Sequence, residues 1–176
     1  MKGIVAISEN WGIGRNNVLP WPSIKSDFAW FKKSTLNQSI IVGRTTAKDL
    51  PPLPNRFIYT LSSKYADPNN LETDLWGEPI QRTYNTNTKG DFYVNHYIHK
   101  IEQAPADSWL CGGASIYKQF LHLCDELYVT HVNGVYECDT YFPFSLVQIT
   151  HLFPYVTKIH DLDGGHKIVR YSKNES

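Results

Sequence analysis

Three segments of the chain repeat one order: a strand-like apolar run, then a turn rich in glycine or hydroxyl side chains. The runs are Ser39–Val42, Phe57–Leu61 and Trp109–Cys111. After the first and third runs a helix is predicted, at Arg44–Leu50 and Ala114–Leu123. Strands that alternate with helices predict an α/β fold with a mainly parallel sheet. Ligands of such sheets bind at the carboxyl ends of the strands, beside helix N-termini.

The turns after these runs carry groups that suit an anionic ligand. Arginine offers a charged fork, threonine and serine offer hydroxyl donors, and glycine lets the backbone come close. The residues are Gly43, Arg44, Thr45, Thr46, Ser62, Ser63, Gly112 and Gly113. A Gly-Gly pair before a helix also occurs where packing is tight, so each turn alone is weak. Together the turns favour a nucleotide, although neither Gly-x-Gly-x-x-Gly nor Gly-x-x-x-x-Gly-Lys is present.

The first strand and the loop after it also point to a ligand site. Ile4–Ile7 is almost wholly apolar, as expected of a strand buried on both faces. The loop Ser8–Trp21 is rich in turn residues and yet contains Trp11 and Leu19. Such a loop either folds over a ligand as a lid or tucks its apolar side chains into the core. The sequence leaves both readings open.

An amphipathic helix with one misplaced acid follows the loop. Ile24, Phe28 and Phe31 recur with helical spacing, Ser23 is the predicted N-cap, and the helix runs to about Leu36. Asp27 shares the apolar face of this helix. Burial there would raise the pKa of the carboxyl, which suits a proton donor near neutral pH. Alternatively, an acid in the first turn simply complements the helix dipole.

The second half of the chain is less regular. Broken patterns predict a surface excursion at residues 65–84, and the segment 64–108 is unusually long. The remaining predicted elements are a helix at Phe92–Gln103, a strand at Glu126–Val132, and an antiparallel hairpin of Thr150–Ile159 with His166–Tyr171 around Asp163-Gly164-Gly165.

Composition excludes several classes of protein. The chain of 176 residues has 17 basic and 17 acidic side chains, which favours neither nucleic acid nor a membrane surface as a partner. No apolar run reaches membrane-spanning length. Three cysteines without a Cys-x-x-Cys pair are typical of a reducing, cytoplasmic setting. His96 and His99 have no further metal ligand at suitable spacing, so we expect no metal site.

The motifs of the chain, taken in order, resemble dihydrofolate reductases of the bacterial type. They are Ala6, Gly12-Ile13-Gly14, Leu19-Pro20-Trp21, Asp27, Phe31-Lys32, Thr35, Gly43-Arg44-x-Thr46, Leu53-Pro54-x-Arg56, Ser62-Ser63, Gly112-Gly113, Tyr117, Thr130 and Asp139-Thr140-Tyr141-Phe142-Pro143. Single elements are unspecific, but the ordered set spans nearly the whole chain.

The resemblance implies one domain over residues 1–176. Its fold would be a mostly parallel sheet of about eight strands with flanking helices and an antiparallel C-terminal hairpin. It also implies hydride transfer from NADPH to 7,8-dihydrofolate, which gives 5,6,7,8-tetrahydrofolate for thymidylate and one-carbon metabolism. The implied partners are dihydrofolate and antifolate inhibitors, and the implied state is a cytoplasmic monomer.

Roles for single residues follow from the same resemblance. Asp27 would promote protonation of the pterin N5, braced by Thr130, with Trp21 holding a water molecule. The implied substrate contacts are Ile4, Ala6, Asp27, Phe28, Phe31, Lys32, Arg56 and Tyr117, with Arg56 gripping the glutamate α-carboxylate. The implied cofactor contacts are Ala6, Ile13, Asn17, Leu19, Gly43, Arg44, Thr45, Thr46, Leu61, Ser62, Ser63, Cys111, Gly112, Gly113, Ala114, Ser115 and Ile116.

Two positions depart from the family pattern. Ser115 stands where bacterial relatives often have a basic residue, which leaves recognition of the 2′-phosphate to Arg44. Ala47 stands where an aromatic residue is common. Two other readings remain: a pterin or pyrimidine reductase of the same fold, and a binding subunit that uses the segment 64–108 as its interface. The presence of both Asp27 and Arg56 argues against the first, and the filled catalytic positions argue against the second.

Overall fold

The computed structural model describes residues 1–50, 53–62, 82–85 and 90–175. The strands are β1 (Lys2–Ser8), β2 (Gly12–Gly14), β3 (Ser39–Gly43), β4 (Arg56–Leu61), β5 (Arg82–Asn85), β6 (Phe92–Ile98), β7 (Trp109–Leu110), β8 (Glu126–Val132), β9 (Thr140–Tyr141), β10 (Tyr155–Asp161) and β11 (Lys167–Ser172). The helices are α1 (Lys25–Thr35), α2 (Arg44–Asp49), α3 (Ala114–Phe120) and α4 (Leu146–Leu152), with 3₁₀ turns at Ile101–Gln103 and Leu121–Leu123.

Nine of the described strands form one sheet, in the order β10-β11-β8-β1-β7-β3-β4-β6-β5. The strands from β8 to β6 in this order pair in parallel, whereas β10, β11 and β5 are antiparallel to their neighbours. The α/β fold with a C-terminal hairpin is confirmed, with nine strands rather than about eight. The strand β5 ends the sheet within the segment where the sequence predicted an irregular excursion.

Burial explains why the central strands form. Ile4, Val5 and Ile7 of β1 are buried, and so are Ile40 and Ile41 of β3. Parallel strands covered on both faces need such continuous apolar runs. The carboxyl ends of the parallel strands form one edge of the sheet, which we call the site edge. The strand β1 lies between β7 and β8, so its carboxyl end is near the middle of this edge.

The helix α1 differs from expectation at its start and in its packing. Its N-cap is Ile24, with no side-chain cap bond, so the predicted N-cap Ser23 is wrong. Thr35 is the only residue of α1 that is buried. Phe28 is 48% exposed. The apolar face of α1 is therefore partly open rather than sealed into the core.

The predicted helix at Phe92–Gln103 is wrong. The segment forms β6 followed by a 3₁₀ turn, and β6 pairs with β4 along six residues from Arg56–Tyr93 to Leu61–Ile98. Val94 and Ile98 are both buried. Their spacing fits helical and alternating patterns alike, and the parallel ladder with β4 decides for the strand.

The C-terminal hairpin is confirmed as β10 and β11, but its first strand starts later than predicted. Residues Leu146–Leu152 form α4, so Thr150 is helical. Ser145 caps this helix, since its hydroxyl accepts a bond from the Gln148 N–H at 3.2 Å. Gly164 and Gly165 both have positive φ in the turn of the hairpin.

Candidate active site

Asp27 and Thr130 meet at the centre of the site edge. The Thr130 hydroxyl donates a hydrogen bond of 2.5 Å to Asp27 Oδ1, which joins α1 to β8. Thr130 lies in register with Ala6 of β1. The carboxyl of Asp27 therefore faces the sheet, although the residue sits in the first turn of its helix.

The environment of Asp27 favours the protonated carboxyl. Burial raises the pKa of Asp27 above its usual value, because a charged carboxylate loses its hydration there. The hydrogen bond from Thr130 and the charge of His166 lower the pKa of Asp27 and offset part of that rise. Asp27 is thus a carboxyl group that keeps its proton to higher pH than an exposed aspartate.

The aromatic ring of Tyr117 supports the floor of the site. Its hydroxyl donates a hydrogen bond of 2.6 Å to the carbonyl oxygen of Ile4. Its ring lies against that of Phe142, with centroids 5.2 Å apart. Burial raises the pKa of Tyr117, so its hydroxyl stays a donor. This bond fixes α3 against β1 next to Ala6.

The loop Ser8–Trp21 is divided in its packing. Trp21 is only 6% exposed and meets the ring of Tyr136 edge-on at 6.0 Å. Trp11 packs against the core, and its Nε1 donates to the carbonyl of Phe144 at 2.6 Å. Leu19, near the tip, is 40% exposed. The two ends of the loop are therefore tucked into the core, and the interpretation of its exposed tip as a lid stays a prediction.

The tip of the loop is held by the segment around β9. Gly12 and Gly14 of β2 pair with β9, and the Asn16 N–H donates to Asp139 Oδ2 at 2.8 Å. That bond lowers the pKa of Asp139. Arg15 forms an exposed ion pair with Glu137 at 2.8 Å. These contacts set the position of the loop beside β1.

Besides Asp27, four of the predicted substrate contacts lie on α1 and at the start of β4. The half-exposed Phe28 lies one residue from Asp27, and Phe31 packs partly against the cluster of Ile40, Val42 and Ile58. Lys32 is exposed at the end of α1. Arg56 is 3% exposed and begins β4, so its guanidinium is held within the protein.

The turns after β3 and β7 lie directly against each other. The Gly43 N–H donates to the carbonyl of Gly112 at 2.8 Å. A Cβ on Gly43 would lie 2.9 Å from Ile116, and one on Gly113 would lie 2.9 Å from the Thr46 hydroxyl. Gly112 has a φ of 101°, and its bond to Gly113 is cis. Side chains at these glycines would push the two turns apart, so glycine lets α2 and α3 begin side by side. The exposed Arg44 and Thr45 at the start of α2 then give a donor set that fits a dinucleotide.

The other predicted cofactor contacts are distributed around these turns. Arg44 and Thr45 are exposed, and Ser62 is partly buried at the end of β4. Ser115 is exposed and accepts a hydrogen bond from Gln119 at 2.8 Å. Burial raises the pKa of Cys111. Ser63 lies outside the described residues, and so do residues 64–81 and 86–89 of the long segment.

Some residues at this edge were missed by sequence reasoning. Asp139 was noted as part of a motif but without a role, whereas Tyr136 and His166 had no signal at all. His166 lies in the turn between β10 and β11, and its charged form lowers the pKa of Asp27. In its neutral form the imidazole Nδ1 accepts the Asn133 N–H at 2.9 Å. Hairpin register of this kind cannot be read from local sequence.

Within residues 1–50, 53–62, 82–85 and 90–175 no group of three or more histidine, cysteine or acidic side chains is placed to hold a metal ion. The helices of the same residues include none that combines the length and hydropathy of a membrane span.

The fold and this edge define an α/β protein with a partly buried acid beside its central strand and glycine-rich turns that fit a nucleotide. The family model for dihydrofolate reductase matches residues 1–151. The dihydrofolate reductase of Buchnera aphidicola subsp. Schizaphis graminum is 36% identical over 144 residues, which are 80% of this chain and 76% of the relative. That of Mycoplasma pneumoniae is 30% identical over 154 residues, 84% of this chain and 89% of the relative.

The chain therefore belongs to the dihydrofolate reductase family and is an NADPH-dependent oxidoreductase. A solved structure with the same fold is the dihydrofolate reductase from Enterococcus faecalis complexed with NADP(H) and RAB-propyl. Its TM-score is 0.68 at 23% identity, and the match covers 99% of this chain and 96% of that one.

Proposed function

We propose that this chain reduces 7,8-dihydrofolate to 5,6,7,8-tetrahydrofolate, the reaction of its family, and that Asp27 promotes protonation of the pterin N5. The observation that carries the proposal is the partly buried Asp27 carboxyl, which accepts the 2.5 Å hydrogen bond of Thr130, the residue in register with Ala6. NADPH, when bound, supplies the hydride. The protein then needs one acid only, since its other tasks are positioning and electrostatics.

Asp27 has the right environment for this role. Its raised pKa favours the protonated carboxyl compared with an exposed aspartate, and the bond to Thr130 fixes one of its oxygens. In this proposal Trp21, which is buried next to Tyr136, holds the water that relays the proton. Thr130 acts as a positioning residue because it works through Asp27.

The substrate extends from Asp27 along α1 towards β4. The pterin and benzoyl rings contact apolar side chains and the floor of the site, at Ile4, Ala6, Phe28, Phe31 and Tyr117. The half-exposed ring of Phe28 supports this, because an apolar side chain open on a helix face suits a ligand. Arg56 binds the α-carboxylate through its guanidinium fork, and Lys32 assists at the rim.

NADPH lies along the edge formed by the turns after β3, β4 and β7. Arg44 with Thr45, Thr46, Ser62 and Ser63 binds the 2′-phosphate and the adenosine. The turn Gly112-Gly113, with Cys111, Ala114, Ser115 and Ile116, lies along the pyrophosphate. The nicotinamide end of the cofactor contacts the loop at Ile13, Asn17 and Leu19, and the strands at Ala6 and Leu61. The narrow approach at Gly43 and Gly113 supports this assignment.

The protein acts as a cytoplasmic monomer of one domain in this proposal, and antifolates compete with its substrate. A reducing compartment fits its three free cysteines.

The deciding experiment follows the near-ultraviolet absorbance of NADPH with purified protein, with and without dihydrofolate. Loss of absorbance only with dihydrofolate, blocked by methotrexate, is the expected result. Asp27→Asn is the matched variant, and we expect its turnover at neutral pH to fall by roughly 10²-fold or more. NADPH binding without turnover would instead favour a same-fold reductase with another substrate or a binding subunit.

A further inference from the structure

A cavity of about 120 Å³ lies under α2, on the face of the sheet that α2 covers. Its floor is a patch of two paired strands, because Ile58 is in register with Asn95 and Thr60 with Tyr97. The residues around it are Ala47, Leu50, Leu53, Ile58, Thr60, Val94, Asn95 and Tyr97. None of them belongs to the substrate or cofactor contacts assigned above.

The small side chain of Ala47 accounts for this space. Ala47 lies on the inner side of α2, where it packs against the cluster of Ile40, Val42 and Ile58. Leu50, three residues later, lines the same cavity. A larger side chain at position 47 would reach the floor, whereas one methyl group leaves the volume open.

The walls are apolar, but the floor carries a buried hydroxyl. Thr60 is only 4% exposed and lines the cavity, where its hydroxyl would be a hydrogen-bond partner for the polar group of a ligand. Asn95, in register with Ile58 on the neighbouring strand, lines the same cavity and brings an amide to it. Both groups can donate and accept, and no charged side chain is among the eight described lining residues.

We propose that this cavity is a second binding site, for an uncharged single-ring aromatic or heterocyclic ligand with one hydrogen-bonding group. Its apolar walls take the ring, while Thr60 and Asn95 bind the polar group. The volume is of the size that holds one ring, since an engineered cavity of about 150 Å³ holds benzene.

Occupancy of this cavity would act on both known sites. The helix α2, which forms the roof, begins with Arg44 at the nucleotide edge. Its other end leads through Leu53 to Arg56 at the substrate end. A ligand under α2 therefore changes the mobility of the one element that connects the phosphate contacts with the carboxylate contact.

Phenol is the probe and toluene its matched control, because a methyl group replaces the hydroxyl at the same ring size. Each is titrated into the full chain with folate and NADP⁺ present, and the methyl NMR signals of Ala47, Thr60 and Ile58 are followed. Saturable shifts at these methyl groups are the expected result. Their position identifies the cavity whether or not dihydrofolate is the substrate.

Two variants separate the cavity from unspecific binding. Ala47→Phe fills the space and should abolish the phenol shifts, while Lys48→Phe adds the same ring at an exposed position of α2 and should leave them unchanged. Thr60→Val keeps the shape of the side chain but removes its hydroxyl. It should weaken the binding of phenol about tenfold and leave the binding of toluene unchanged. Absence of saturable shifts, or equal binding of phenol to Ala47→Phe, would overturn the proposal.

Discussion

The Thr130 hydroxyl donates its 2.5 Å hydrogen bond to Asp27 across 103 positions of sequence. Thr130 is buried in β8, and Asp27 is in the first turn of α1, so the bond connects the outer helix layer to the central sheet. It opposes the effect of burial on the pKa of Asp27. The pKa of this partly buried carboxyl is therefore set by burial, which raises it, against the Thr130 bond and the charge of His166, which lower it.

Replacement of Thr130 by valine should shift the pH dependence of turnover upward. The lost hydrogen bond stabilises the charged carboxylate, so without it the pKa of Asp27 rises further. A bond to a charged group contributes about 1.5–3 kcal/mol, which corresponds to a shift of about one to two pH units. The measurement is kcat against pH. Thr130→Ser, which keeps the hydroxyl, should retain the native profile; an unshifted profile for valine would contradict the role.

Asp27→Asn should stabilise the protein at neutral and alkaline pH. The pKa of Asp27 is raised in the folded state above 3.8, so its stabilising contribution is present below that pH and lost as pH rises through the folded value. Asparagine does not ionise, so the variant loses no stability at this position over that pH range. Urea unfolding between about pH 4 and pH 9 should show an advantage of the variant that grows and then levels off. A difference independent of pH would argue against a desolvated carboxyl.

Arg56→Leu should weaken the binding of dihydrofolate and leave the binding of NADPH unchanged. The guanidinium of Arg56 lies within the protein at the start of β4, away from the turns assigned to the cofactor. Loss of a charged hydrogen-bonded contact predicts a rise of roughly 10–100-fold in KM for dihydrofolate. Steady-state kinetics with each substrate varied in turn give the answer. Arg56→Lys should recover only part of the affinity, and equal effects on both KM values would exclude the assignment.

Arg44→Ala should narrow the preference for NADPH over NADH. Ser115 offers no charge at the nucleotide edge, so our proposal assigns recognition of the 2′-phosphate to Arg44, which is exposed at the first position of α2. We expect the ratio of kcat/KM for the two cofactors to fall about tenfold. Lys48→Ala on the same helix is the control for a general loss of positive charge. If both variants change the ratio equally, Arg44 has no specific role.

The parts of the fold that the sequence predicted are those with a strong local signal. Strands such as β1 and β3 are buried on both faces, so their apolar runs admit one reading. The sequence of β6 does not decide between helix and strand, because the spacing of Val94 and Ile98 fits both periodicities. Only the pairing of β6 with the distant β4 shows that it is a strand. Long-range pairing is absent from any local window of sequence.

The residues of the candidate site also differ in whether the sequence could predict them. Asp27 was marked by its place on an apolar face, and motif order assigned Thr130 to it. Tyr136 and His166 entered only with the structure, because their approach depends on how β8 and the final hairpin align. The sequence marked Ala47 only as a position where an aromatic residue is common. The cavity beneath it could not be predicted, because its lining depends on the register of β4 and β6.

The position of β1 between β7 and β8 also determines when the protein can acquire its site during synthesis. Lys2 pairs with Trp109 on one side and with Glu126 on the other, so β1 leaves the ribosome long before either partner exists. Until then its apolar residues Ile4, Val5 and Ile7 have no sheet to join. The nascent chain is consequently most prone to aggregate before β8 emerges, because a fragment that ends earlier lacks the longer of the two pairings of β1 and also the hydroxyl that binds Asp27.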